Sequence, residues 1–130
     1  MKENRFIDND DGTITDKSTG LMWQREAPVE TMTRKTALEY TENLTLAGYG
    51  DWRLPNRNEL ESIVDYQRWS PAIDTAYFPN TVPSWYWSSS TFAGSSNLAW
   101  VVGFYSGNVN YYGKSGNLYV RAVRGGQKND

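Results

Sequence analysis

Residues 98–119 read LAWVVGFYSGNVNYYGKSGNLY: two strand-like runs with Gly/Ser/Asn turns, in which Lys114 is the only charged residue. Along a strand, successive side chains point to opposite faces. Trp100, Val102 and Phe104 therefore share one face, and Ala99, Val101, Gly103 and Tyr105 share the other. Trp100 and Phe104 have the bulk to fill a core, so the row Val101, Gly103, Tyr105 is expected to point outward. In the next run Val109 is expected inward, with Asn108, Asn110 and Tyr112 outward. A solvent-facing strand pair normally carries Lys, Glu and Thr, which keep it soluble and prevent edge pairing. A face of Tyr, Gly, Asn and Val needs another cause.

The period of two extends on both sides of this stretch. YWSSST (86–91) and LYVRAVR (118–124) bring the count to four candidate antiparallel strands. At the other end of the chain, RFIDNDDGTITDKSTGLMWQ (5–24) alternates around two turn clusters and reads as a short meander. Between these regions the period becomes helical. Ala37, Tyr40, Thr41, Leu44 and Ala47 fall on one face, Thr33 is placed to cap the N-terminus and Gly48 to end the helix, which predicts a helix over about 34–46. Asn56 followed by Glu59 predicts a capping box for a second helix, with Leu60, Ile63 and Val64 inward and an end near Tyr66 to Arg68. Residues 69–85 hold three prolines and no sustained period, so a long ordered loop packed by its own aromatics is expected. Meander, two helices, loop and sheet make an α+β fold.

At 130 residues the natural count is one domain, 1–130. Six Trp, nine Tyr and four Phe must supply much of its core volume. A net charge of −2 argues against a nucleic-acid partner. MKENRFIDND lacks the apolar region of a signal peptide, and no apolar run is long enough to insert in a membrane, so a soluble chain is expected. Cysteine and histidine are both absent, which removes thiolate and imidazole chemistry, disulfides, and nearly every zinc or copper site. No cofactor or catalytic residue is expected.

Asp8, Asp10 and Asp11 invite a calcium reading. With Gly12 at loop position six, however, Ile7 would stand at position one and Ser18 at the bidentate position, so an Asp-rich turn is the preferred alternative and no metal ligand is assigned. Glu59, Glu61 and Asp65 line one helix rather than converging across a cleft, as a two-carboxylate hydrolase requires. Asp51 and Arg53 flank Trp52, and an ion pair between them would hold that turn. Arg121 and Arg124 are read as partners of the acids in the first hairpin, with an anionic ligand as the alternative. Ten aromatics lie between Trp85 and Tyr119. A core under a Gly/Ser-rich sheet explains Trp87, Trp100 and Phe104. It does not explain Tyr105, Tyr111 and Tyr112 among so many Gly, Ser and Asn, the mixture that antibody-type paratopes use for rigid contact area with adaptable hydrogen bonding. A ligand-binding surface and structural filler are the two readings.

RFIDNDDGTITDKSTGLMWQ, ALEYTENLTLAGYGDWRLPNRNELESIVDY, PAID, YWSSST, AWVVGF and YVRAVR, taken in order, resemble the C-terminal domain of bacterial collagen-like adhesins. That resemblance implies the C-type lectin fold, in a branch related to formylglycine-generating enzymes. The catalytic cysteines of those enzymes have no counterpart here. Calcium-type sugar binding is unsupported too, because Leu54-Pro55-Asn56 and Phe78-Pro79-Asn80 lack the acidic or amide residue that precedes Pro-Asn in calcium-dependent lectins.

AWVVGFYSGNVNYYGKSGNLYVRAVRGG also resembles the C-terminal segment of the variable proteins of diversity-generating retroelements. In these proteins adenines are randomised, and an AAC codon becomes NNC, which cannot encode Trp, Lys, Met, Gln or Glu. Within 92–118, only Trp100 and Lys114 fall among those residues. The resemblance implies a scaffold over about 1–91 and 119–126 and a variable segment over about 92–118. Its ligand-facing set would be Ser96, Leu98, Val101, Gly103, Tyr105, Asn110, Tyr111, Tyr112, Ser115 and Leu118, with Trp52, Arg53, Trp87, Trp100, Phe104, Val120 and Val123 as scaffold. The expected partner is a protein or glycan on a cell surface, contacted from a virion or a cell exterior. A fixed-specificity glycan-binding adhesin domain is the alternative.

Overall fold

The computed structural model describes residues 5–125; residues 1–4 and 126–130, at the ends of the expected domain and of its scaffold, lie outside the described residues. The opening meander forms where its turns place it. Strands β1 (Phe6–Asp8), β2 (Thr13–Asp16) and β3 (Leu21–Gln24) pair antiparallel in sequence order. The aspartates of the first turn fold the turn itself: Asp8 Oδ1 accepts from Asp10 N, and Asp11 Oδ1 accepts from Thr13 N and Thr13 Oγ1.

Helix α1 (Arg34–Glu42) starts at Thr33, whose side chain accepts from Thr36 N, and closes at Asn43, short of the expected residue 46. The chain beyond it is held differently. Leu46 and Tyr49 bond each other's backbone around a turn with Ala47 at φ 57° and Gly48 at φ 82°, so the helical spacing of Ala47 belongs to a turn. Helix α2 (Arg57–Glu61) carries the full capping box between Asn56 and Glu59 but stops at Ser62, well before Tyr66. Leu60, Ile63 and Val64 are buried as the spacing predicts. After Ser62 the chain turns back, and Asp65 N donates to Ala72 O at 2.8 Å. The proline-rich loop is packed into the core through Ala72, Ile73 and Phe78, with Phe6 against Tyr77 and Phe78.

The second half builds a second sheet and adds a strand to the first. Strands β4 (Trp85–Thr91), β5 (Leu98–Gly103) and β6 (Asn108–Gly113) form one antiparallel sheet in that order, while β7 (Val123–Gly125) joins β3 at the edge of the meander. The expected fourth strand, 118–124, is therefore not a member of the β4–β6 sheet. It crosses from one sheet to the other: Tyr119 bonds the backbone of Trp85 and Trp87, Leu118 that of Met32, and Val123 that of Arg53. Alternation alone does not distinguish a strand that serves one sheet from a strand that serves two in succession. Two helices and two antiparallel sheets give the expected α+β architecture, consistent with a C-type lectin-like fold.

Both faces of β4 and β5 are covered. Tyr86, Val102 and Phe104 join Ile14, Trp23, Leu60 and Phe78 on one side; Trp87, Ala99 and Val101 join Ala37, Leu54, Leu118 and Val120 on the other. This corrects the reading of β5 as inward on one face and outward on the other. Val101 is 0% exposed and Gly103 is buried, whereas Trp100, expected in the core, is half-buried. A sheet between two apolar layers needs side chains of moderate size on both faces.

The expected ion pairs are also re-partnered. Asp51 does not pair with Arg53; it receives Arg124 at 2.6 and 3.0 Å, while Arg53 binds Glu59 through two contacts of 2.8 Å. Neither Arg121 nor Arg124 reaches an acid of the first hairpin, where Asp16 is held by Arg5. Arg121 is buried among neutral acceptors: Gln24 O, Arg25 O and Thr81 Oγ1.

Candidate functional site

Strand β6 is the edge of its sheet, and it is far more exposed than β4 or β5. Helix α1 and the 118–120 segment cover β4 and β5, and the first core layer reaches β6 only at Val109, which is half-buried as expected. Asn108, Asn110, Tyr111 and Tyr112 are exposed, and no charged side chain lies within the strand. The Asn110 side chain accepts from Tyr111 N at 2.8 Å, occupying one outward-facing backbone donor of the edge.

The register divides the tyrosines. Tyr112 stands opposite Ala99, and Tyr111 opposite Trp100, so the two rings lie on opposite faces of the sheet. Tyr112 approaches Trp87 edge-on with centroids 6.4 Å apart. Tyr111 lies 4.4 Å from Phe92 and 6.1 Å from Trp100, and Phe92 meets Trp100 at 5.1 Å. The Arg57 guanidinium covers the Trp100 ring at 4.2 Å. Tyr105 is elsewhere. It lies past the end of β5, roughly 16 Å of strand away from Trp100, and meets Trp69 edge-on at 5.6 Å.

The loops that flank Tyr111 and Tyr112 are tied down. A bulge between Trp87 and Thr91 interrupts the β4–β5 ladder, and Arg34 donates to the freed carbonyls of Ser88 and Ser89 at 3.1 and 2.6 Å. Lys114 donates through its backbone N to Asn97 O and through Nζ to Thr91 Oγ1, so the turns carrying Ser96 and Ser115 sit side by side. Among the described residues neither Arg57 nor Lys114 forms an ion pair.

Of the ten expected ligand-facing residues, the structure brings Ser96, Leu98, Asn110, Tyr111, Tyr112 and Ser115 to one end of the sheet, Leu98 half-buried and the others exposed. Three are corrected: Val101 and Leu118, at 0% and 6% exposure, are core residues, and Gly103 is covered by the ring of Trp85. The contribution of Phe92, Trp100 and Arg57 to the surface was missed. The signal for Trp100 was its cross-strand match to Tyr111, visible only once the turn length is known.

Two concavities bear on ligand binding. One of about 290 Å³ is lined by Pro83, Ser84, Trp85, Gly103, Tyr105, Ser106 and Asn108. The other, about 590 Å³, lies over the first hairpin between Asp8, Asp10, Gln24, Arg25, Glu26 and Leu46. There Arg25 Nε faces Asp8 Oδ2 at 3.3 Å, off hydrogen-bond geometry. Among the described residues no three potential metal ligands converge, in this hollow or elsewhere, and no helix is long and apolar enough to cross a membrane.

No curated protein matches the chain. A family model does, over residues 12–124, from the first hairpin to β7, and its description is Lcl C-terminal domain. Domains of that family are of adhesin, binding type. The match takes in both helices, the sheet β4–β6 with its whole exposed edge, and the other sheet apart from β1, and the chain belongs to the Lcl C-terminal domain family.

Proposed function

We propose that the chain is one non-enzymatic recognition domain, exposed on a virion or cell surface, that binds a macromolecular ligand around the free edge of its second sheet. The scaffold is the two-layered core with its crossing segment 118–123; the contact surface is Ser96, Leu98, Asn110, Tyr111, Tyr112 and Ser115, with Phe92, Trp100 and Arg57 beside them. The observation that carries this reading is the exposure of Tyr111 and Tyr112, 47% and 45%, on an uncharged edge strand whose neighbouring loops are braced. Large rings held on rigid backbone give contact area at little entropic cost, and Ser and Asn around them adapt their hydrogen bonds. Membership of an adhesin-type family and the resemblance to retroelement variable proteins support the same reading. Within 92–118, diversification is confined to the exposed positions.

The test is binding of the labelled domain to whole cells and to arrays of glycans and extracellular proteins. Tyr111→Ala combined with Tyr112→Ala lowers the captured signal at least tenfold and shifts Tm by no more than about 5 °C, since neither ring fills the core. Undiminished binding by this double variant refutes the proposal.

A further inference from the structure

The concavity at the opposite end of the sheet is a different kind of place. Its floor is Trp85, whose ring packs against Gly103; a Cβ at that position would come within 2.9 Å of the ring. Tyr105 is one wall, and it is not a loose side chain. Trp69 meets it edge-on at 5.6 Å, and its backbone is fixed by Ser70 N donating to Tyr105 O at 2.6 Å. The turn that follows is packed in at Gly107, φ 91°, where a Cβ would strike Val64 and Tyr66. Pro83 completes the apolar surface, and Ser84, Ser106 and Asn108 supply hydroxyl and amide groups around it.

No lining residue is charged, and about 290 Å³ stands at the small end of ligand pockets, roughly 300–1,000 Å³. A charged ligand would lose its hydration there with no counter-ion to replace it. A purely apolar ligand would leave three polar side chains without partners. The matching chemistry is a small ring with one apolar face and a polar edge. A neutral pyranose has this form: its C–H face stacks on aromatic rings, which are electron-rich above and below their planes, and its hydroxyls both donate and accept, as Ser84, Ser106 and Asn108 do.

We propose that this pocket is a binding site for one uncharged pyranose ring, with Trp85 and Tyr105 as the stacking surfaces, Asn108 as the principal hydrogen-bonding group and Trp69 as a positioning residue for Tyr105. The site is separate from the Tyr111 and Tyr112 surface, and Pro83, Ser84, Trp85 and Trp69 all lie outside the segment 92–118.

The experiment is ligand-observed saturation-transfer NMR on the purified full chain, with a panel of neutral methyl pyranosides, the corresponding uronates and a proline-rich peptide as probes. At least one neutral pyranoside receives saturation and titrates to a millimolar Kd. Its uronate binds at least fivefold more weakly. Asn108→Ala and Tyr105→Ala each weaken binding at least tenfold with an unchanged melting profile, and Trp69→Ala weakens it in a way that Trp69→Phe restores. Saturation of no neutral pyranoside, equal or tighter binding of the uronate, binding of the peptide alone, or indifference to Asn108→Ala each overturns the proposal. Cell capture by the Tyr111 and Tyr112 surface is a separate readout, so failure of one proposal leaves the other standing.

Discussion

Arg121 shows how much a single side chain can join. It is fully buried, yet it meets no carboxylate; its guanidinium donates to Gln24 O at 2.5 Å, Arg25 O at 2.8 Å and Thr81 Oγ1 at 2.8 Å, and lies 5.0 Å from the centre of the Phe78 ring. Burial pulls its pKa down to about 10, so it still carries its charge at neutral pH. The planar fork ties the end of β3 to the proline-rich loop and to the crossing segment in one plane. An ammonium cannot span the same three acceptors. Arg121→Lys is therefore expected to cost about 2–4 kcal/mol through unsatisfied buried groups, seen as a fall in Tm of roughly 6–16 °C. A fall of less than 2 °C would show that water or a rearranged Lys replaces the fork.

At the scale of elements, α2 is too short to stand on its own propensity, and its ends explain its persistence. Asn56 and Glu59 close the capping box, and the same Glu59 carboxylate receives both Arg53 contacts. Burial works to raise the Glu59 pKa, but the Arg53 hydrogen bonds, the Asn56 N–H and the Arg53 charge together outweigh it and hold the carboxyl below its ordinary value of 4.5. A carboxyl depressed on folding adds stability that is complete above its unfolded pKa and is lost as pH falls through the folded one. Glu59→Gln is accordingly expected to lose about 1 kcal/mol at pH 7, and the difference from the parent protein shrinks as pH falls below the ordinary carboxylate value of 4.5 and through the lower folded one. Parallel Tm–pH curves for the two proteins between pH 7 and 3 would remove Glu59 from this role. The capping box could be read from the chain because it depends on residues three apart. The early stop of α2 could not, because it is set by the bond from Asp65 N to Ala72 O across the reversed chain.

In the whole molecule, what could be read from the sequence and what could not follow from the same cause. Period and turn chemistry are local, so the meander, both helix starts, the α+β class and the exposure of Asn108, Asn110 and Tyr112 were all legible; Tyr111, which alternation places on the face of Val109, was reached only through composition and the family resemblance. Which faces of β5 are covered depends on α1, on Leu54 and on a crossing segment about 20 residues downstream. That is why Val101 and Leu118 were assigned to the surface and Trp100 to the core. The second core layer also limits how far the segment 92–118 can vary without unfolding. Asparagine placed at Val101 or Leu118 buries an amide among apolar groups, at a cost of about 3 kcal/mol or more once the lost packing is added. Asparagine at Ser96, Tyr111, Tyr112 or Ser115 leaves the core intact, and the change stays within about 1 kcal/mol. One thermal-melt series of these six single variants checks the division: Tm falls roughly 8 °C or more for the first pair and by less than about 4 °C for the other four. If the Val101 variant melts with the surface group, the second layer is not a core, and the recognition surface must be redrawn to include β5.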